Sequence, residues 1–430
     1  MPIACQNQCA TTERMYWNNF CAGFWAGGIN RFAPQAVSTL KLRDVDMTDQ
    51  KTRLHWVDEN CRQLQEIRTE FADTRPFEGI TIGTGIHLEP KTAALLLTLK
   101  AGGARVVATG NLSSTQPATI DYLRSHGIDV HAEATQDSGI HAQSLQKILA
   151  EKPDMLLDNG GDLFASYLEA PYEGLIGVTE ETTSGRMRLT PLRDQLAMPI
   201  LVINDSPIKQ FAENKHAVGQ SIFESYMRLT NRATNGKRVA VFGYGACGMG
   251  VAVNFRNAFA SVSVIDVDPV KSLEAHFDGF QTPSREMALR KADIIVTETG
   301  AENVITASDL DLLKDGAILM NGGHFPTEID VPSLQSVSAT RATYAEEGIK
   351  TLVQADGRRF HVLCNGHMAN LAGPRPLGNS LESMDIGFAL QSRCLERIAK
   401  GESGEDECIV PVPRAIDEQV ANAYLSPFRQ

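Results

Sequence analysis

The chain has 430 residues, of which 43% are hydrophobic and 21% are charged, as is typical of soluble globular proteins. This length predicts two or three domains. The formal net charge of −12 argues against a nucleic acid or an anionic membrane as a partner, because both are themselves negatively charged. The longest apolar runs, such as residues 93–99, are too short to span a bilayer, and residues 1–17 lack the pattern of a signal peptide. The sequence therefore predicts a cytoplasmic protein.

The first 50 residues predict an irregular N-terminal extension, which contains the aromatic residues Trp17, Phe20, Phe24 and Trp25. We expect this extension to pack against the body of the protein or against a neighbouring subunit. The eight cysteines are scattered without a CxxC pair, which indicates reduced thiols. Cys5 and Cys9 have no matching pair of cysteines or histidines, so the sequence predicts no metal site.

An alternation of short apolar strands with helices begins near residue 80, after a predicted helix at residues 51–72. This alternation predicts a parallel sheet with helices on both faces. The predicted strands cover residues 80–82, 105–108, 128–131, 155–157, 175–178 and 200–203. Polar turns follow five of these strands, at residues 83–89, 110–116, 158–162, 179–184 and 204–209. Because the carboxyl ends of parallel strands meet at one edge of a sheet, we expect these turns to form one ligand site.

A glycine-rich turn lies between two further predicted strands. The apolar run Val239–Phe242 leads directly into Gly243, Gly245 and Gly248, a helical pattern follows, and the second strand ends at Asp266. This order is typical of a dinucleotide site: the first glycine makes the turn, the second lets the backbone approach the pyrophosphate, and the third lets helix and strand pack closely. A carboxylate at position 266 can accept hydrogen bonds from the adenosine ribose and would repel a 2′-phosphate, which favours NAD over NADP.

Two segments, residues 204–221 and 365–376, predict a hinge between domains. Strands predicted at residues 292–297, 316–320 and 361–364 continue the nucleotide domain, and a helix at residues 379–399 would return to the first domain. The sequence thus predicts an α/β fold of two Rossmann-like, doubly wound parallel-sheet domains joined by a two-segment hinge. We assign residues 51–208 and 374–430 to a substrate-binding domain and residues 209–373 to an NAD-binding domain.

Five motifs occur in the order found in one enzyme family: LDNGGDL at 157–163, TEETTSG at 179–185, INDSPIK at 203–209, GYGACGMG at 243–250 and NGGHF at 321–325. Through these motifs the chain resembles the adenosylhomocysteinase (S-adenosylhomocysteine hydrolase) family over roughly residues 75–425. The resemblance implies an enzyme with tightly held NAD that oxidises a ribose 3′-hydroxyl, eliminates the 5′ thiol after loss of the acidified C4′ proton, adds water and reduces the ketone back. The implied reaction converts S-adenosylhomocysteine to adenosine and homocysteine.

The resemblance also implies which residues surround the reacting ribose. Lys209 would take the proton of the 3′-hydroxyl if desolvation lowers its pKa. Glu181 would bind the ribose hydroxyls, and Glu213 stands at the position of a shorter acidic residue in the family. The cofactor-binding residues implied by the glycine motif and by the resemblance are Thr182, Thr183, Ser184, Asn214, Gly243, Gly245, Ala246, Cys247, Gly248, Asp266, Thr299, Gly300, Gly323 and Asn370.

Three further residues would act at the other end of the ribose or at the nicotinamide. His324 would contact the substrate or the carboxamide of the nicotinamide, and His87 would help to protonate the leaving thiolate. Asn159 replaces a family aspartate that is thought to act as an acid or base at the 5′ position. An amide cannot transfer a proton at neutral pH, so this step departs from the family pattern.

Other departures affect the base pocket and the surroundings of the cofactor. Glu89 and Lys91 replace a threonine and an acid or glutamine that contact adenine in the family, and a lysine in place of an acceptor changes which base fits. Ala246 and Met249 replace the aspartate and lysine of the family sequence GYGDVGKG. After Asn370 a glycine-histidine-proline gate is shortened, and the family's C-terminal lysine and tyrosine that reach a neighbour's NAD are missing.

These departures keep alternatives open. A paralogue would use the same bound NAD to eliminate, epimerise or oxidise a different nucleoside or sugar-like substrate. A catalytically silent regulatory homologue is a second alternative, although the retained Lys209, Glu181 and His324 argue against it, and a 2-hydroxy-acid dehydrogenase is a third. The resemblance further implies a small-molecule nucleoside substrate and a homo-oligomer, either a dimer or a tetramer.

Overall fold

The structure is a computed structural model that describes residues 52–338 and 340–429. The predicted N-terminal extension, with its aromatic residues and with Cys5 and Cys9, lies outside these described residues. Within the described part of the chain, no helix combines the length and the apolar character needed to cross a bilayer.

The described residues form strands and helices in alternation along most of the chain. The strands are β1 (Thr81–Gly85), β2 (Arg105–Thr109), β3 (Asp129–Val130), β4 (Met155–Asp158), β5 (Gly177–Glu180), β6 (Ile200–Val202), β7 (Arg238–Phe242), β8 (Ser261–Ile265), β9 (Ile294–Thr297), β10 (Ala317–Asn321), β11 (Thr340–Tyr344), β12 (Ile349–Val353), β13 (Arg359–Leu363) and β14 (Cys408–Pro411). The helices are α1 (Arg53–Asn60), α2 (Arg62–Thr74), α3 (Pro90–Ala101), α4 (Pro117–Ser125), α5 (Ser138–Ala150), α6 (Asp162–Glu169), α7 (Thr183–Leu189), α8 (Gly219–Thr230), α9 (Ala246–Asn257), α10 (Pro269–Phe277), α11 (Arg285–Lys291), α12 (Val331–Ser336), α13 (Leu381–Ala399) and α14 (Arg414–Leu425).

The first sheet has the strand order β14-β6-β5-β4-β1-β2-β3, and its neighbouring strands are all parallel. Successive residues of β4 alternate between two cores: Leu157 packs on the face covered by α2, α3 and α13, and Leu156 on the face covered by α5 and α6. A strand that is apolar on both faces is typical of a parallel sheet buried between helix layers. β14, near the end of the chain, joins this sheet beside β6.

The second sheet has the order β11-β12-β13-β10-β9-β7-β8. Strands β13, β10, β9, β7 and β8 are parallel, whereas β12 runs antiparallel to both β11 and β13. In β7, Val239 and Val241 pack with α8 and α9, and Ala240 and Phe242 pack with α11 on the opposite face. The predicted fold class, α/β with two parallel-sheet Rossmann-like arrangements, is therefore confirmed. The antiparallel edge was not predicted.

The predicted helix at residues 51–72 is wrong as a single helix. The chain breaks at Cys61 into α1 and α2, because the Asp385 carboxylate of α13 accepts the backbone N–H groups of Gln63 (2.8 Å) and Leu64 (2.9 Å) at the start of α2. A buried carboxylate at this position satisfies N–H groups that a new helix leaves free.

The polar stretch predicted as part of a hinge is largely helical. Residues 209–218 form a π-helical segment that continues directly into α8. One face of it is buried and carries Lys209, Glu213, Asn214 and Ala217. The polar residues that suggested a hinge therefore belong to a helix whose buried face lines a polar site.

Candidate functional site

The main cavity has a volume of about 870 Å³ and lies at the carboxyl ends of strands from both sheets. Every catalytic residue predicted from the sequence lines it, and so does every predicted cofactor-binding residue except Gly248. A second cavity of about 320 Å³ shares His87, His324, Met368 and Leu371 with the first. The polar turn at residues 110–116 lines only this second cavity, so the five predicted turns serve two adjoining spaces.

A buried ion cluster lies at one end of the main cavity. The Nζ atom of Lys209 lies 3.1 Å from Oε1 of Glu181 and also pairs with the Glu213 carboxylate one helical turn away. Burial acts to lower the pKa of Lys209, but the two carboxylates overcome this and raise the pKa above its usual value. The cluster therefore stabilises the ammonium form, and the condition stated from the sequence, a lysine pKa lowered by desolvation, is not met.

Glu213 is the acid of this cluster that titrates near neutrality. Burial, reinforced by Glu181, raises the pKa of Glu213 to about 7 although Lys209 opposes the shift. Its Oε2 atom has no hydrogen-bond partner, and it lies so close to Gly387 of α13 that a Cβ atom there would be 2.6 Å away. A carboxyl group of this kind can exchange a proton with the neighbouring lysine without a change in the net charge of the site.

Asn159 is fixed by hydrogen bonds on both sides of its amide. Its Nδ2 donates to Oε2 of Glu181 (2.8 Å), and its Oδ1 accepts a hydrogen bond from Asn111 (3.0 Å). Glu181 is thereby held between this amide and Lys209. The amide orients the Glu181 carboxylate and is itself no proton carrier, and Asn111 is a contributor that the sequence analysis did not identify.

Two neutral histidines lie where the two cavities meet. The rings of His87 and His324 are 5.7 Å apart between centroids. Burial lowers the pKa of His87 well below its usual value, with smaller contributions from His324 and Lys209, and burial also lowers the pKa of His324 to about 4. His324 packs directly against Gly160, whose φ of +97° and lack of a side chain permit this contact.

The hydrogen-bond network defines the tautomer of His87. Its Nδ1 atom lies 2.6 Å from Oγ of Ser114, and the Ser114 hydroxyl donates its proton to the carbonyl of Asn111 at 3.2 Å. Since the hydroxyl proton is used in that way, Nδ1 of His87 carries the hydrogen and donates it to Ser114. The Nε2 atom is then a proton acceptor.

The glycine-rich turn is built as the sequence predicts. Gly243 has a φ of +97° between β7 and α9, and Gly248 packs on the carbonyl of Gly243, which brings helix and strand together and accounts for its position outside the cavity. The Asp266 carboxylate at the end of β8 accepts backbone N–H groups of Tyr244 (2.6 Å) and Asp268 (2.9 Å) and lines the cavity. This cradle and carboxylate fit a dinucleotide with a free ribose diol.

Several supporting residues escaped the sequence analysis. Asn204 accepts hydrogen bonds from Thr183 (2.9 Å) and Asn214 (3.0 Å), which joins two predicted cofactor-binding segments. Glu328 accepts hydrogen bonds from both backbone and side chain of Thr299 and from the backbone of Gly300. Asn204 belongs to the INDSPIK motif and could have been found from it, whereas no local signal marks Glu328.

Comparisons with known proteins agree with this geometry. Residues 214–375 match the family model "S-adenosyl-L-homocysteine hydrolase, NAD binding domain", and residues 39–171 match the model "S-adenosyl-L-homocysteine hydrolase". The chain is 36% identical to the S-inosyl-L-homocysteine hydrolase of Methanothermobacter thermautotrophicus over 90% of this chain and 93% of that protein. It belongs to the S-adenosyl-L-homocysteine hydrolase family.

Two further relatives carry the name adenosylhomocysteinase. The protein of Thermococcus kodakarensis is 38% identical over 87% of this chain and 90% of that protein. The protein of Thermotoga maritima is also 38% identical, over 88% of this chain and 95% of that protein. The predicted family and the predicted NAD-binding domain are confirmed by these matches.

Proposed function

We propose that this protein is an NAD-dependent hydrolase of S-nucleosyl-homocysteine thioethers whose preferred base is a 6-oxopurine, as in S-inosylhomocysteine. The observation that carries the choice of base is a buried ion pair in the cavity wall. The Nζ atom of Lys91 lies 2.7 Å from Oε2 of Glu89, and the two side chains are only 2% and 4% exposed. A buried charged pair is costly to maintain without a polar partner, so its place in a ligand cavity supports a role in recognition.

The chemistry of this pair complements a 6-oxopurine. Lys91 donates to the carbonyl of Leu377 (3.0 Å) and to Glu89, and an ammonium group has one further N–H to offer. By resemblance, the family residue at position 91 is an acceptor that contacts adenine. A donor there favours a carbonyl oxygen at C6, and the Glu89 carboxylate can accept the N1–H that a 6-oxopurine carries and adenine lacks.

The residues around the ribose support the oxidation half of the reaction. NAD, when bound, supplies a reversible hydride acceptor for the ribose 3′ carbon. Glu181 binds the ribose hydroxyls, while the Lys209–Glu213 pair accepts the proton of the 3′-hydroxyl: the lysine passes its proton to Glu213 and takes up the substrate proton. The resulting 3′-ketone makes the C4′ proton acidic, which prepares loss of the 5′ thiol.

The histidine pair supports the 5′ half. Nε2 of His87 is a proton acceptor, so His87 takes up the proton lost from C4′ and delivers it to the leaving thiolate at C5′. Water then adds at C5′ and the ketone is reduced back, which yields the nucleoside and homocysteine.

The second cavity, with the paired Asp162 and Arg188 (2.5 Å) on its wall, offers charged partners for the amino-acid part of the thioether.

The test compares two substrates and two proteins. Wild-type protein should hydrolyse S-inosylhomocysteine with a kcat/KM at least about tenfold above that for S-adenosylhomocysteine, because hydrogen bonds to charged groups contribute about 1.5–3 kcal/mol each. The double variant Glu89→Thr, Lys91→Gln should lose or reverse this preference, whereas the exposed-surface control Lys147→Gln should keep it. Equal use of both substrates by the wild type would contradict the 6-oxopurine preference and leave S-adenosylhomocysteine, favoured by the 38% identity to two adenosylhomocysteinases, as substrate.

We also propose the organisation implied by the family resemblance. Residues 51–208 and 374–430 would bind the nucleoside, residues 209–373 would bind NAD, and the protein would act in the cytoplasm as a homodimer or homotetramer. Light scattering on the purified holoenzyme measures the number of subunits directly, and a monomer at micromolar concentration would contradict the proposed assembly.

A further inference from the structure

Glu298 is a carboxyl group in the main cavity that the mechanism above does not use. It follows β9 directly and lines the cavity. Its Oε1 atom is buried without a hydrogen-bond partner, and in the described part of the chain its carboxyl group forms no ion pair. An unpaired polar atom in this position is costly, because it has lost its contacts with water and gained no replacement.

The surroundings of Glu298 are tightly fitted, and among residues 52–338 and 340–429 no cation lies next to its carboxyl group. Its Oε1 atom packs directly on Gly322, where a side chain would collide with it, and its Cβ atom would be 3.6 Å from a Cβ atom at Gly248. Burial raises the pKa of Glu298 well above its usual value, and the negative charge of Glu328 adds to this effect. These surroundings favour the protonated, uncharged form of the Glu298 carboxyl group, which can donate a hydrogen bond as well as accept one.

The neighbouring Glu328 provides the contrast. Its two carboxylate oxygens accept hydrogen bonds from Thr299 and Gly300 at 2.8–3.0 Å, and the residue does not line the cavity. Glu328 thus has a complete structural role in shaping the turn after β9. Glu298, one residue before Thr299, faces the ligand space instead and has no comparable set of partners.

The strand order indicates which half of a dinucleotide Glu298 faces. Asp266, the predicted partner of the adenosine ribose, follows β8, and the glycine-rich turn for the pyrophosphate follows β7. β9 lies on the opposite side of β7 from β8, next to β10. A dinucleotide bound across the crevice with its adenosine over β8 places its nicotinamide half over β9 and β10.

We propose that Glu298 is a cofactor-binding residue that, as a neutral acid, donates a hydrogen bond to an acceptor oxygen in the nicotinamide half of the bound dinucleotide. This role rests on the NAD binding included in the proposed function. The bound dinucleotide supplies a polar partner on the side of the Glu298 side chain that lines the cavity, and a neutral donor avoids a negative charge beside the phosphates.

The test measures NAD binding to cofactor-stripped protein by isothermal titration calorimetry. Glu298→Gln retains a donor of the same shape and should bind NAD within about threefold of the wild type. Glu298→Ala removes the donor and should weaken binding at least about tenfold. Glu286→Ala, which removes an exposed carboxylate on α11 of the same sheet region, is the matched control and should leave the affinity unchanged.

Each other outcome would overturn the proposal. If Gln weakens binding as much as Ala, the carboxylate acts as an ionised acceptor and not as a donor. If Ala binds NAD like the wild type, the residue makes no contact with the cofactor. Wild-type protein that binds no NAD at all would overturn the proposed function together with this role, so the two failures are distinguishable. Thermal unfolding of each stripped variant would show that it is folded.

Discussion

The main cavity has a charged end and a neutral end. At the charged end, Lys209 is buried between the carboxylates of Glu181 and Glu213, and it stays an ammonium group. At the neutral end, burial keeps His87 and His324 uncharged. The histidines are more exposed than Lys209, so burial alone does not explain the difference. It arises from whether the group has an opposite charge within contact distance.

This difference assigns the two ends to different kinds of proton transfer. Within the lysine–carboxylate cluster a proton moves between Lys209 and Glu213 without any change in net charge, which suits a reversible oxidation. At the histidine pair every proton taken up creates a buried charge. This unfavourable charge is removed when the imidazolium transfers its proton to a thiolate, because both groups then become neutral. The comparison can be tested by damaging one end at a time.

The largest effect should follow Lys209→Ala. Removal of the ammonium leaves Glu181 and Glu213 buried together without a cation, and the 3′-hydroxyl loses its proton acceptor. We expect reduction of bound NAD by added inosine or adenosine to slow by about 10³-fold or more, in the upper range of general acid–base contributions. Absorbance near 340 nm measures this step, and chromatography of the denatured protein measures the NAD retained.

An exposed lysine provides the control for this prediction. Lys147→Ala should reduce bound NAD at the wild-type rate. An unchanged rate of NAD reduction in Lys209→Ala would show that the lysine is not the proton acceptor for the 3′-hydroxyl. The two ends of the cavity would then not differ in the way described.

His87→Ala should separate the two ends of the cavity. Oxidation of the ribose does not involve His87, so growth of the NADH signal should stay within a few-fold of the wild type. Release of thiol from the thioether, measured with a thiol-reactive dye, should fall by about 10²–10³-fold because the 5′ proton carrier is missing. If both signals fell together, the two ends would not act independently.

Glu213→Gln tests whether the charged end accepts its proton on the carboxylate. Since the pKa of Glu213 is raised to about 7, its ionised form increases as the pH rises through neutrality. Wild-type NAD reduction should therefore increase with pH up to about 7 and then level off. The variant should reduce NAD about 10²-fold more slowly, and its rate should no longer increase with pH below about 7. If the rate of NAD reduction in Glu213→Gln depends on pH as it does in the wild type, the pH dependence belongs to another group.

The sequence predicts the cofactor cradle and the charged end of the cavity to different degrees. The cofactor cradle is local: Gly243, Gly245 and Asp266 act within one strand–helix–strand unit, so spacing alone places them. The pKa of Lys209 depends on Glu181, 28 residues away, and the orientation of Asn159 depends on Asn111, 48 residues away. Contacts of this range have no local signal, and for that reason the sequence alone did not reveal the direction of the lysine pKa shift.

The fold shows the same division between local and distant causes. Apart from β11, β12 and β14, which were not predicted, the strands of both sheets were found to within a few residues from apolar runs and turns. The break between α1 and α2 at Cys61 was missed because its cause, the Asp385 carboxylate, lies more than 300 residues further along the chain. The helical form of residues 209–218 was missed because its buried face is polar, which is the composition that also marks loops.

The smallest expected effect concerns a second pair of buried acids, which holds the turns that carry Asn159 and Glu181. Asp158 and Glu180 are paired neighbours on β4 and β5, and each precedes a site residue, Asn159 or Glu181. Glu180 accepts the backbone N–H groups of Gly160 (3.1 Å) and Thr182 (2.7 Å), which holds the two turns together. Burial raises the pKa of Asp158 to about 6 and that of Glu180 well above its usual value.

The raised pKa values give this pair a defined pH dependence. The folded protein keeps a proton that the unfolded chain releases above its ordinary carboxyl pKa, so the free energy of unfolding should fall as the pH rises. Each proton retained contributes a slope of about 1.4 kcal/mol per pH unit. Glu180→Gln keeps an acceptor for Gly160 and Thr182 but carries no titrating proton. The free energy of unfolding, measured by urea denaturation between about pH 5 and 7, should therefore fall less steeply in the variant, by up to one such slope. The same pH dependence in wild type and variant would mean that Glu180 is ionised in the folded protein. The Asp158–Glu180 pair would then be a second charged cluster next to the site.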